Sequence, residues 1–384
     1  MISEIIGIRC TGCEACSAVC PKNCIEMKEN REGFYIPNVK ESECINCECC
    51  VKSCPVLNFQ ENHKNVNDHK KAFAFKSDNE TYRGICSSGG TFMELAKWFV
   101  DNNGVVYGAA FDEIYEVKHK RADNINDLIS LAGSKYVQSK IDKTYINVKN
   151  DLSQGLQVLF VGLTCQIEGL KAFLKNDYDK LYCVDLICMG IPSPMVWRKY
   201  LETYFDIKEI KRINFKDKRL GWHKFSVAIT KNDGEDISTP GFDDKYMECM
   251  FKGYSMRESC FSCVYKCENK ISDLTIADCW GCENYIDGMD DNRGLSMIIV
   301  HSKKGEVMLD YIASSGELRP FEYNNVLMYN SNYYRCANKK NGRSLFYWLL
   351  KFNPKMAFSL MGKNPNKSLG MRIKGKITKF KKGL

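Results

Sequence analysis

Near its amino end the chain carries one cysteine pattern twice: Cys10, Cys13, Cys16 and Cys20 followed by Pro21, then Cys44, Cys47, Cys50 and Cys54 followed by Pro55. Both read C-x2-C-x2-C-x3-C-P, the spacing of a bacterial two-cluster ferredoxin, in which the fourth cysteine of each run ligates the cluster of the other. Two 4Fe-4S clusters are therefore expected, one on Cys10, Cys13, Cys16 and Cys54, the other on Cys44, Cys47, Cys50 and Cys20. Cysteines three apart on a tight loop aim their sulfurs at three corners of one cubane, and Gly12 and Ala15 leave room for it. Zinc and disulfides are the competing chemistries, and the tandem run with both prolines argues against them. Cys24 and Cys49 fall outside the pattern as spare thiols. So short a module buries little apolar surface, so cluster ligation should supply much of its folding energy.

Three later segments could also carry chemistry. Ser87-Ser88-Gly89-Gly90-Thr91 precedes a helical pattern with Phe92, Leu95, Ala96 and Phe99 on one face. Free N–H groups at that helix start suit a phosphate, or mark an ordinary N-cap. Gly133-Ser134-Lys135-Tyr136-Val137-Gln138-Ser139 offers a turn, a cation, an aromatic face and hydroxyls. Two strand ends carry Cys165 and Cys188; if the strands are parallel neighbours, both cysteines emerge at the carboxyl edge of one sheet, where such folds place ligands. Cys183, inside a strand, reads as a buried free thiol. Finally, Cys260, Cys263, Cys279 and Cys282 have the C-x2-C-x15-C-x2-C arithmetic of a zinc ribbon. The competing reading joins Cys260 and Cys263 to Cys165 and Cys188 around a third 4Fe-4S cluster.

The elements that must position these groups alternate. Strands are predicted at 71–76, 105–111, 157–161, 181–187, 210–215, 225–230, 274–277 and 295–301, and helices at 91–100, 166–174, 195–205 and 305–314. The fold class is mixed α/β (α+β): a ferredoxin domain over 1–59, a polar linker over 60–70 with His63 and His69 as a weak metal candidate, a larger α/β domain over 71–350, and a tail over 351–384.

The 384 residues, 44% hydrophobic, suit two or three domains, and 21 cysteines alongside cluster motifs indicate a reducing, cytoplasmic setting. The net charge of +8 is concentrated: residues 355–384 hold nine Lys/Arg and no acid, so the body is close to neutral. That speaks against a nucleic-acid partner. In the tail Ile373, Ile377, Phe380 and Leu384 recur at helical spacing among lysines. This describes a basic amphipathic helix able to lie on the inner face of a membrane, or equally a solvated basic tail.

With these residues in view the chain resembles the coenzyme F420 hydrogenase/dehydrogenase beta-subunit proteins, in the form that accompanies bacterial polysaccharide synthesis. The matches run in order from Cys10 to about Arg343: Ser88-Gly89-Gly90, Val106-Tyr107-Gly108-Ala109, Gly133 to Ser139, Cys165-Gln166, Asp185 to Cys188, Asp217-Lys218 with Gly221-Trp222, Ser259 to Cys263, and Asp273 to Asp278 with Trp280-Gly281. The resemblance implies FAD in the large domain, lined by Ser88, Gly89, Gly90, Ser134, Lys135 and Gln138. It also implies a third 4Fe-4S cluster on Cys165, Cys188, Cys260 and Cys263, since residue 279 is commonly Phe in that family. Two departures stand out: Met189 where the family often has His, and Leu163-Thr164 where it has Thr-Pro. Methionine cannot donate a proton, which weakens acid–base chemistry there.

The expected function is an iron–sulfur flavoprotein oxidoreductase. A soluble low-potential donor such as ferredoxin would feed the clusters, and FAD would pass electron pairs to a small-molecule acceptor, a deazaflavin or a lipid-linked sugar precursor. Lys135, Asp185 and Trp222 are the candidate proton donors or substrate contacts. The alternative is a non-catalytic subunit delivering electrons to a partner enzyme.

Overall fold

The computed structural model describes residues 1–62 and 70–360. His63, His69 and the tail positions Ile373, Ile377, Phe380 and Leu384 lie outside the described residues.

The two cysteine runs fold alike because their backbones use one device. Gly12 and Asn46 hold φ of 70° and 54°, and Glu14 and Glu48 hold 66° and 58°, at matching places in the two loops. These left-handed residues curl each loop into a concavity suited to an anionic group and then open a one-turn helix, Ala15–Ala18 or Cys49–Lys52. Between the loops, β1 (Ile25–Glu29) pairs antiparallel with β2 (Tyr35–Val39).

The larger region is built on an eight-stranded sheet of β3 (Lys71–Ser77), β4 (Val105–Phe111), β5 (Val117–Ala122), β6 (Val158–Leu163), β7 (Leu181–Leu186), β11 (Leu274–Asp278), β12 (Ser296–Val300) and β13 (Gly316–Phe321). The spatial order is β13-β3-β12-β11-β7-β6-β4-β5. Its centre, β4, β6, β7 and β11, is parallel, and the flanking pairings are antiparallel. A separate antiparallel sheet holds β8 (Ile210–Asp217), β9 (Ser226–Lys231) and β10 (Asp236–Pro240).

Two-residue alternation sorts the core. Val106, Ala110, Leu159 and Val161 face the helices Thr91–Asp101, Ile125–Leu131 and Lys303–Ile312. Val105, Tyr107, Val158 and Phe160 face Thr144–Ser153 and Thr164–Leu174. Strand β5, β10, β13 and five helices, including Thr144–Ser153 and Arg343–Phe352, escaped the sequence reading because their apolar residues are few or interrupted by lysines and asparagines. The expected tail boundary at 351 falls inside helix Arg343–Phe352. The next helix, Pro354–Leu360, buries Ala357, Phe358 and Leu360 against the core shared with β8 and β9.

The ferredoxin-like module is clasped to this body. Phe34 inserts into the β8–β9 core, Glu14 accepts from the N–H groups of Ile141 and Asp142 at 2.9 Å each, and Glu32 pairs with Arg343. A side chain at Gly33 would strike Met195, 2.2 Å away, so only glycine lets the hairpin turn sit there.

Two buried histidines make stability depend on pH. His119 Nε2 donates to Val161 O (3.2 Å) while Nδ1 accepts from Ser139 Oγ (2.7 Å), and His301 Nε2 lies 2.8 Å from Thr275 Oγ1. Burial pulls both imidazoles down to about 4. The unfolded chain then takes up protons first, so this stability is present above about pH 6.5 and is lost as pH falls toward 4. Going from about pH 7.5 to about pH 5.5 should cost about 1.4 kcal/mol per histidine. Anaerobic denaturation of His119→Gln should show a shallower pH dependence by one proton; an unchanged slope refutes the assignment.

Candidate functional site

Register brings the scattered cysteines together. Gly162 of β6 pairs with Asp185 of β7, and Leu163 with Leu186, so Cys165 and Cys188 emerge side by side at the carboxyl edge of the sheet. The short turn Glu258–Ser262 and the residue after it bring Cys260 and Cys263 opposite them. All four line one small cavity of about 40 Å³. The amide of Ile191 donates to Cys260 Sγ at 3.3 Å. Cys279 and Cys282 are elsewhere, in the apolar core with Trp222 and Ile299, so the zinc-ribbon arithmetic is not realised in space.

The small cavity fits a sulfur-rich anion. Among the described residues no three cysteine sulfurs lie within 4.8 Å of one another. Four thiolates on a single zinc, each about 2.3 Å from it, would crowd to about 3.8 Å. The hydroxyls of Thr11, Ser259 and Tyr265 line the same space, buried and without a hydrogen-bond partner. Three orphaned donors around four thiols suit acceptor sulfurs, and Lys266 and Lys270 supply countercharge from the wall. Burial drives the thiols of Cys165 and Cys260 up, Cys260 to about 12. Metal ligation there must expel protons.

In the amino-terminal module the thiols sort crosswise. Burial raises Cys13 to about 12, and the charges of Cys54 and Cys10 add to that, while Cys20 and Cys47 act on Cys50. Cys13, Cys16 and Cys54 are buried, whereas Cys47 is exposed. The module thus has an inner and an outer cysteine set. Cys24, expected to be spare, has its sulfur 3.4 Å from that of Cys20. The inner set abuts the larger region: a Cβ on Gly169 would lie 2.9 Å from Cys13 Cβ, so glycine lets this loop rest on the helix that Cys165 opens.

A second cavity of about 560 Å³ opens on the other side of Cys188. Ser88, Gly90, Ser134 and Lys135 line it, and Ser87 Oγ ties the two predicted segments together through 2.8 Å contacts to Ser134 Oγ and N. The helix Thr91–Asp101 points its amino end at the cavity, and Thr91 Oγ1 is buried without a partner. The far wall holds Lys216, whose Nζ is 3.1 Å from Asp278 Oδ2, 4.1 Å above the Phe225 ring and 4.9 Å from that of Trp280. The sequence reading missed Lys216 and Asp278. Only the end position of Asp278 on a parallel strand pointed to it.

Four predicted site residues are placed otherwise. Gly89 is a spacer: its N–H donates to Ser296 Oγ (2.9 Å), and a side chain would strike Phe75 O. Gln138 faces Gly12 and Arg257. Asp185 sits on the wall of the small cavity, accepting from Thr164 Oγ1 (2.5 Å), Ser272 Oγ (3.0 Å) and Thr275, which makes it a brace for the Cys165 turn. Trp222 is fully buried behind Trp280, stacked at 4.6 Å, and donates to Asp278. Lys135 lines the large cavity, yet its Nζ donates to the carbonyls of Ser130 and Ala132, capping helix Ile125–Leu131; burial lowers its ammonium to about 7.

Comparison with known proteins bears on both regions. Residues 9–58 match the model of a 4Fe-4S dicluster domain, and residues 155–324 match that of the C terminus of the coenzyme F420 hydrogenase/dehydrogenase beta subunit. Over 244 residues the chain is 25% identical to the F subunit of the F(420)H(2) dehydrogenase of Methanosarcina mazei, covering 60% of this chain and 66% of that protein, just under two thirds of its length. A chain of the F420-reducing NiFe hydrogenase complex from Methanosarcina barkeri superposes with a TM-score of 0.45 at 16% identity, over 74% of this chain and 89% of that one. The chain thus carries 4Fe-4S clusters and belongs, as an iron–sulfur redox protein, to the family of coenzyme F420 hydrogenase/dehydrogenase beta subunits.

Proposed function

We propose that the chain relays electrons from a low-potential protein donor, through the amino-terminal clusters and a third 4Fe-4S cluster on Cys165, Cys188, Cys260 and Cys263, to FAD in the large cavity. The observation that carries this reading is linear order. Cys13 rests on the helix opened by Cys165, and Cys188 belongs to the wall of both cavities. The domains are those expected, ferredoxin-like over 1–59 and flavin-binding from 71, with the latter extended to 360.

Bound clusters would supply one-electron steps and the flavin hydride chemistry. The chain's own residues bind and orient. The Thr91 amide end and hydroxyl receive a pyrophosphate, Lys216 and Trp280 give a cation and a flat face, and Trp222 holds Trp280 in plane. Buried aromatic walls keep water from the reacting edge. Met189 beside Cys188 donates no proton, so protons must enter from the opposite wall, where His223 and Lys216 stand.

The name of the Methanosarcina mazei relative supports a deazaflavin as the two-electron acceptor. Because that relative is one subunit of a dehydrogenase, it also favours a second reading, delivery of electrons to a partner enzyme. Among the described residues no helix is long and apolar enough to cross a membrane.

Anaerobic purification tests the proposal by composition: about twelve iron and one FAD per chain are expected. About eight iron removes the third cluster, and no flavin removes the reductase. Lys216→Ala leaves the buried Asp278 unpaired and should lower retained flavin about tenfold. Unchanged yellow chromophore on denaturation would count against the cavity as its site.

A further inference from the structure

Arg257 is 3% exposed, and its guanidinium reaches across the boundary between the two regions. Nε donates to Cys10 O at 2.7 Å, Nη1 to Gln138 Oε1 at 3.1 Å, and Nη2 to Tyr35 O at 2.9 Å and Cys10 Sγ at 3.5 Å. The Phe34 ring covers it at 5.3 Å. Among the described residues no carboxylate lies within ion-pair distance of it, although a buried guanidinium keeps its charge and is costly without an anion. Its only partner able to bear negative charge is the sulfur of Cys10. The backbone of Arg257 completes the bridge, since its carbonyl accepts from the Cys260 amide at 3.0 Å.

The approach depends on Gly12. A Cβ there would stand 2.5 Å from Gln138 Nε2 and 2.7 Å from Arg257 Nη1. The second cysteine run has Asn46 at the matching place, and among the described residues no arginine donates to Cys44, Cys47 or Cys50. Two runs of one pattern are thus made electrostatically unequal by a single side chain from outside them.

We infer that Arg257 is a positioning residue that serves as the fixed countercharge of the inner cluster and raises its reduction potential above that of the outer cluster. This rests on the reading of Cys10 as a cluster ligand. Reduction adds one electron, from a one-electron protein donor, to the inner cluster; no bond forms or breaks, and the guanidinium keeps its protons. A neighbouring cation and a hydrogen bond to sulfur favour the more negative, reduced form. Electrons arriving at the exposed Cys47 side are therefore drawn inward, toward Cys165.

The test is a redox titration of the full-length holoprotein read by electron paramagnetic resonance, with buried clusters recognised as those an aqueous dysprosium chelate does not broaden. In Arg257→Gln the reduced-to-oxidised ratio of one buried cluster, at its wild-type midpoint, should fall about tenfold, which is about 59 mV for a one-electron couple. Arg257→Lys keeps the charge and should stay within about threefold. No displacement in Arg257→Gln, or equal displacement in both variants, overturns the inference and leaves only a structural clasp. Should Arg257→Gln lose its iron, wild-type protein with 15N-labelled arginine decides: a nitrogen coupling to a reduced buried cluster is expected, and its absence overturns the role. Wild-type protein lacking amino-terminal clusters would instead defeat the ligand assignment beneath it.

Discussion

Replacing Cys165 with serine should remove about four of some twelve iron atoms per chain and slow electron delivery to the large cavity about 100-fold or more. The position is demanding on three counts. Cys165 is 8% exposed, so a lost thiolate cannot be replaced by a ligand from solvent. It lies in the first turn of the helix Thr164–Leu174, and Thr164 is held to Asp185 at 2.5 Å, so the turn cannot swing to offer another residue. The space it borders is also the only described link between the inner cysteine set and the wall containing Cys188. Serine is nearly the same size, so the packing of Gly169 against Cys13 survives and the amino-terminal clusters remain. Iron and sulfide analysis, with stopped-flow reduction of the bound flavin, reads both parts. Twelve iron atoms retained with unchanged flavin reduction would refute the third site.

Stripping iron with a chelator should unfold the two cysteine loops while the eight-stranded sheet stays intact. The small core of the module consists of Ile2, Ile6 and Ile25 together with Cys16, Cys20, Cys24 and Cys54. Thiols without metal make a poor core, and so short a segment cannot replace it with other apolar area. Amide protection over residues 9–24 and 41–58 should fall about 1,000-fold or more. The hairpin of β1 and β2 should lose less, because Phe34, Glu32 and Arg257 anchor it to the larger region. The strands β4, β6 and β7 should be unaffected, since their side chains are buried by helices of the larger region alone. Uniform loss of protection across the chain would mean one cooperative unit and refute the separation.

Local features were legible in the residues alone. A cubane takes three of its ligands from one loop, so spacing within the sequence is enough to reveal the paired runs that mark the dicluster domain. Central parallel strands are short continuous apolar runs, and β4 was read to the residue for that reason. The ferredoxin hairpin and strands such as β5, Val-Lys-His-Lys-Arg-Ala, were not, because an edge strand needs only one apolar face and lysines hide the alternation.

What the sequence by itself determined is the redox character of the amino-terminal module and the mixed α/β class of the rest. Tertiary structure alone decided which thiols share a cavity: Cys260 and Cys263 stand with Cys165 and Cys188, and Cys279 and Cys282 stand in the apolar core, although their spacing in the chain suggested the reverse. It also turned Asp185 and Trp222 from candidate reactants into supports, and gave Arg257 its place against Cys10. The physical reason is common to these cases. Spacing along a chain constrains neighbours within one loop, while contacts between loops are set by strand register and by where glycines permit close approach, and neither is written in any one segment.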